Sequence, residues 1–116
     1  MIVQKNSLKG EVKAAMRGGP GSVTLTDLTG GTGTCKNCKM LCDVLIPPGA
    51  GIGYHQHLTE TEYYIMLEGT AEVDDNGVKV NVGPGDVVIT GDGASHSIMN
   101  TGSQPVRMTA IVVTYQ

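Results

Sequence analysis

A chain of 116 residues, 40% of them apolar, has enough material for one compact core and no room for a second domain. A formal charge of −3, with eight Lys and Arg that form no basic run, argues against nucleic acid or an anionic membrane surface as partner and leaves small molecules. The opening MIVQKNSLKG lacks a signal-peptide core, no stretch approaches a membrane span, and three cysteines do not make a secreted disulfide framework, so the expected location is the cytoplasm.

Seventeen glycines and five prolines punctuate the chain too often for long helices and favour many short strands. The first dozen residues could support a helical turn at most, and MRGGPG at 16–21 forces a turn or an extended crossing. Strands are expected over Val23–Leu28 and Met40–Ile46, separated by the loop TGGTGTCKNC and ended by Pro47, Pro48 and Gly49. Further strands are expected near Gly53–His57, Glu62–Glu68, Ala71–Asp74, Val78–Val82, Asp86–Thr90, Ser95–Asn100 and Val106–Tyr115. Asn76-Gly77 marks a hairpin. The fold class is therefore all-β.

Several of these strands are apolar on both faces, as Tyr63, Ile65 and Leu67 alternate with Tyr64 and Met66. One face can line a barrel. The other needs a cover, and a homodimer is the expectation.

His55 and His57 lie two apart in an expected strand, so both imidazoles project from one face about 6 to 7 Å apart. Glu62 opens the next strand after the turn LTET, and His96 follows a second glycine-rich turn, GDGAS. A lone histidine in an apolar strand is ordinarily a packed residue. Here all three histidines of the chain join one glutamate in a single pattern.

That pattern resembles a known family. Gly49-AGIGY-His55-Q-His57-LTET-Glu62-YYIMLE-Gly69 is similar to the first cupin motif, with every fixed position filled. Gly85-DVVIT-Gly91-D-Gly93-AS-His96-SIM-Asn100 resembles the second, departing where Gly91 replaces the usual proline of a turn. The resemblance implies a double-stranded β-helix, the cupin or jelly-roll barrel, spanning 1–116 as one domain. Its barrel core would run from about 39 to 115, after an amino-terminal extension over 1–22. It also implies one divalent metal ion held by His55, His57, Glu62 and His96.

Three neutral imidazoles and one carboxylate leave a divalent site with about one positive charge and open positions, which suits an anionic chelating molecule. Manganese, iron, nickel, cobalt and zinc all accept such mixed nitrogen and oxygen donors. Counting from an inward Glu62, Tyr64 shares its face and is a candidate proton donor; Glu60, in the turn between ligands, is a second catalytic candidate. Arg17 is the candidate clamp for a substrate carboxylate if its segment folds over the opening. Cys35 and Cys38 form a CxxC without a fourth ligand nearby, and Cys42, in phase with Met40 and Val44, is expected as buried filler.

These features point to a metalloenzyme acting on a small carboxylate or sugar acid by decarboxylation, isomerisation or oxygenation. The alternative is a non-catalytic, metal-dependent binding or sensor module. The absence of a basic patch or a spare helical region favours the enzyme.

Overall fold

A computed structural model describes residues 1–116. Ten strands follow one another: β1 Gly10–Ala14, β2 Ser22–Asp27, β3 Cys38–Ile46, β4 Gly51–Gln56, β5 Glu60–Glu68, β6 Ala71–Asp75, β7 Val78–Val82, β8 Val87–Gly91, β9 Ser95–Met99 and β10 Val106–Thr114. They form two antiparallel sheets, a six-stranded one in the order β1-β2-β3-β10-β5-β8 and a four-stranded one in the order β4-β9-β6-β7. The helical content is confined to 3-10 turns at Lys5–Ser7 and Met16–Gly18. No helix is long and apolar enough to cross a membrane.

Period-two alternation sets the core between the sheets. On β10, Val106, Met108, Ala110 and Val112 point inward, and on β5 Glu62, Tyr64 and Met66 do the same. Val44 and Ile46 from β3 and Ile52, Val73 and Ile98 from the smaller sheet complete it. A one-residue slip of β5 would turn Glu62 out and Tyr63 in, so burial of the apolar face also fixes the direction of the site residues. Asn100 follows β9 directly, its side-chain amide donating to the Ile46 and Gln104 carbonyls at 2.9 and 2.8 Å, the backbone-bonding role a polar residue takes at a strand end.

Nine strands correspond to those expected from the sequence, with ends shifted by a residue or two. The exception is β1, where the sequence suggested at most a helical turn. All five of its residues are exposed, and it pairs only with β2, Val12 opposite Thr24. A strand without a buried face carries no apolar alternation to announce it. The helical turn itself is the short Lys5–Ser7 segment. At Asn76-Gly77 both residues take positive φ, 50° and 97°, as the primed turn between β6 and β7 requires.

The MRGGPG segment crosses β4 at close range. Gly51 N–H donates to the Pro20 carbonyl at 3.0 Å, and a Cβ on Gly53 would collide with the Arg17 carbonyl. Glycine at position 53 is what brings Met16 and Arg17 onto the barrel opening. Gly91 plays a comparable part on the other side. It closes β8 opposite Thr61, and a Cβ there would stand 2.8 Å from the Glu60 carbonyl oxygen. The residue in the proline position thus serves a close strand approach as well as a turn.

Candidate metal centre

Four side chains from both sheets converge at one end of the barrel interior. His55 lies on β4, His57 one residue past its end, Glu62 on β5 and His96 on β9, with His55 and His96 paired in register. Their potential ligand atoms all lie within 4.8 Å of one another. His96 Nε2 is 3.0 Å from His57 Nε2 and 3.1 Å from His55 Nε2, and Glu62 Oε1 is 2.9, 3.1 and 3.8 Å from the Nε2 atoms of His96, His57 and His55.

The outer nitrogens explain why the inner ones face each other. His55 Nδ1 lies 2.7 Å from the Gly53 carbonyl oxygen, which can only accept, so Nδ1 carries the proton. His57 Nδ1 donates in the same way to Glu60 Oε2 at 2.6 Å, and His96 Nδ1 meets the Thr90 hydroxyl at 2.8 Å. Neutral imidazoles protonated at Nδ1 present a lone pair at Nε2. With the Thr90 hydroxyl accepting from His96 Nδ1, three such lone pairs and a carboxylate oxygen gather in one buried space without donors among themselves, and a cation would supply the positive charge they require. Separations near 3 Å also match the edges of a coordination shell with bonds of about 2.1 Å. The donor set therefore fits a divalent ion.

Electrostatics within the cluster agree with that assignment. Burial raises the Glu62 carboxyl, but its close approach to the imidazoles of His55, His96 and His57 outweighs that and holds the group at about 2, so it is ionised at neutral pH. Burial lowers His96 below 6.5 despite the opposing pull of Glu62, which keeps this imidazole neutral. Tyr64 stacks on His96 with ring centroids 4.8 Å apart, its hydroxyl 3.4 Å from His96 Nε2. Burial, and then the Glu62 charge, push the phenol well above 10. It remains protonated.

Above the cluster a cavity of about 200 Å³ reaches the surface, and every sequence-derived candidate except His96 lines it: Arg17, His55, His57, Glu60, Glu62 and Tyr64. Arg17 is exposed at the opening, as the crossing of MRGGPG over β4 places it, in a left-handed conformation at φ 52°. Lys39, which sequence reasoning passed over, is also at this opening, and its Nζ lies 3.0 Å from Glu60 Oε1. Both oxygens of Glu60 are thus engaged. The cysteines stand apart. All are free, Cys38 N–H closes a turn on the Cys35 carbonyl, and none joins a cluster of three potential ligands. Cys42 is partly buried against the core, where burial and the nearby Asp27 charge push its thiol up. That is the environment of an unreactive packed thiol.

A two-sheet antiparallel jelly roll with three histidines and a glutamate gathered inside it defines a class of small barrel built to hold a metal ion. The chain belongs to the cupin family: residues 42–113 match the cupin domain. It is 34% identical over 113 residues to a protein of Thermotoga maritima named oxalate-binding protein, covering 97% of this chain and 93% of that one. A crystal structure from Thermotoga maritima, described as a predicted oxalate decarboxylase, superposes with a TM-score of 0.89 at 33% identity, covering 98% of this chain and 99% of the other. A cupin described as a sugar phosphate isomerase from Silicibacter pomeroyi superposes at 0.76 with 20% identity, covering 97% and 75%, a likeness of fold alone.

Proposed function

We propose that His55, His57, Glu62 and His96 hold one divalent ion that captures a small carboxylate, with Arg17 and Lys39 at the opening guiding the anion in. The observation that carries this reading is the convergence of three Nε2 lone pairs and one carboxylate oxygen beneath a cavity whose mouth bears two cations. The names given to the Thermotoga maritima relative and to the Thermotoga maritima crystal structure support a carboxylate as ligand. When bound, manganese, iron, nickel, cobalt or zinc would supply Lewis acidity.

Around that centre, the protonated Tyr64 hydroxyl donates a hydrogen bond to a ligand oxygen, and Arg17 pairs with a carboxylate. Glu60, a candidate acid or base from sequence, is better suited to holding His57, because His57 and Lys39 occupy its two oxygens. Isomerisation needs a free base. With Glu60 engaged and Tyr64 protonated, the geometry favours decarboxylation or oxygenation.

The lack of a free base also favours a second reading, a binding or sensor module without turnover. Metal-loaded protein incubated with oxalate, 2-oxo acids and uronates separates the two, with carbon dioxide release, oxygen uptake and thermal shift followed together. Turnover that disappears in His57→Ala supports the enzyme. Saturable thermal shifts without turnover assign the binding module.

The outer face of the larger sheet supports a homodimer. Leu41, Ile111, Tyr63 and Ile89 are register partners across β3, β10, β5 and β8 and form one apolar row, with Ile89 61% and Val87 50% exposed. The three free cysteines are consistent with a reducing cytoplasm.

A further inference from the structure

The chamber above the four ligands is mostly aliphatic. Met16, Leu25, Met40, Val44, Ile52 and Val112 form its walls. Apart from the metal-ligand candidates, the polar residues lining it are Tyr64, Glu60, Lys39 and Arg17, with no Ser, Thr, Asn, Gln or Asp among them. Glu60 is occupied by His57 and Lys39, the Tyr64 hydroxyl is directed at the ligand cluster, and the two cations are at the opening. Hydroxyls on the body of a ligand would therefore be desolvated against methyl and thioether groups without partners, which opposes binding. Oxalate has no body to place against these walls.

Resting on the carboxylate reading above, we infer that this chamber selects a 2-oxo or 2-hydroxy carboxylate with a branched aliphatic body of about four carbons. The carboxylate and its neighbouring oxygen supply the chelating head, and the aliphatic body occupies the space between Met16, Leu25, Met40 and Val112. A cavity of about 200 Å³ corresponds to six or seven waters at roughly 30 Å³ each, so such a body, about the volume of three or four waters, displaces roughly half of the solvent and the chelating head much of the rest. The two thioethers on the wall are adaptable in shape and follow branching at modest cost.

The test holds the head constant and varies the body. Wild-type protein loaded with one manganese per chain is titrated calorimetrically with pyruvate, 3-methyl-2-oxobutanoate, 4-methyl-2-oxopentanoate and 2-oxo-3-deoxygluconate, and with oxalate as a head-only reference. The expected result is affinity rising about tenfold or more from pyruvate to 4-methyl-2-oxopentanoate, with the polyhydroxylated acid weakest. Leu25→Asn, which puts an amide in the wall, flattens that series. Equal affinities across the series, tightest binding of the polyhydroxylated acid, or an unaltered series in Leu25→Asn overturns the inference and leaves the carboxylate reading standing. Failure of oxalate and every oxo acid to bind overturns both.

Discussion

Glu60 Oε2 accepts the Nδ1 proton of His57 at 2.6 Å, while Glu60 Oε1 accepts from Lys39 at 3.0 Å. This chain of contacts fixes the ring angle and tautomer of His57 from outside the ligand cluster. Glu60→Gln keeps the shape but makes the amide compete as a donor toward Nδ1. It is expected to weaken metal affinity about 10- to 100-fold while leaving the fold intact. Competition with a fluorescent chelator measures the change, and an affinity within twofold of wild type contradicts the role.

Arg17 occupies left-handed backbone, where a side chain with a Cβ is strained by about 1–2 kcal/mol. Arg17→Gly relieves that strain at the cost of a more flexible unfolded chain, so stability should rise or stay within about 1 kcal/mol. The same change removes the guanidinium, and oxalate affinity should fall by about tenfold or more. Arg17→Ala loses the affinity without the relief. Denaturant midpoints and calorimetry on both variants read the two effects separately.

The outward apolar row Leu41, Ile111, Tyr63, Ile89, half-buried in its first three residues and exposed at Ile89, predicts association through the larger sheet. Ile89→Lys places a charge in that row on an exposed strand and should shift sedimentation from dimer to monomer with an unchanged circular dichroism spectrum. A wild-type protein that sediments as a monomer at high concentration contradicts this use of the face.

Acid should destabilise the metal-free protein in one direction. His96 is lowered in the folded state, so below 6.5 the unfolded chain takes up the proton first and gains relative to the native state. Glu62 is lowered from 4.5 to about 2, so its contribution is complete above 4.5 and is lost as pH falls toward 2. Melting temperature should therefore decline from pH 7 downward, and Glu62→Gln should reduce the part of the decline below 4.5, where Glu60 and Asp27, also lowered, keep contributing. A temperature that rises on acidification has the wrong sign.

The four candidate ligands were legible because their spacing is strand geometry. His55 and His57 share a face by period two, and Glu62 and Tyr64 share another in the same way. The hairpin at Asn76-Gly77 was legible from turn chemistry. β1 was not, because a strand exposed along its whole length needs no apolar pattern. Lys39 was invisible for a different reason: it acts on Glu60 across 21 positions of sequence, through the placement of β3 beside the opening. Glu60 itself was visible as a carboxylate near the ligands. Its direction toward Nδ1 of His57 depends on the curvature of a turn, which sequence periodicity does not encode.

Metal content reads the four-ligand site most directly. Untagged wild-type protein, purified without chelator and dialysed against a mixture of divalent ions, should carry about one ion per chain by mass spectrometry. Glu62→Gln and His96→Ala, shown to be folded by their far-ultraviolet spectra, should carry much less. Equal metal in wild type and both variants would contradict the assignment of His55, His57, Glu62 and His96 as the ligands.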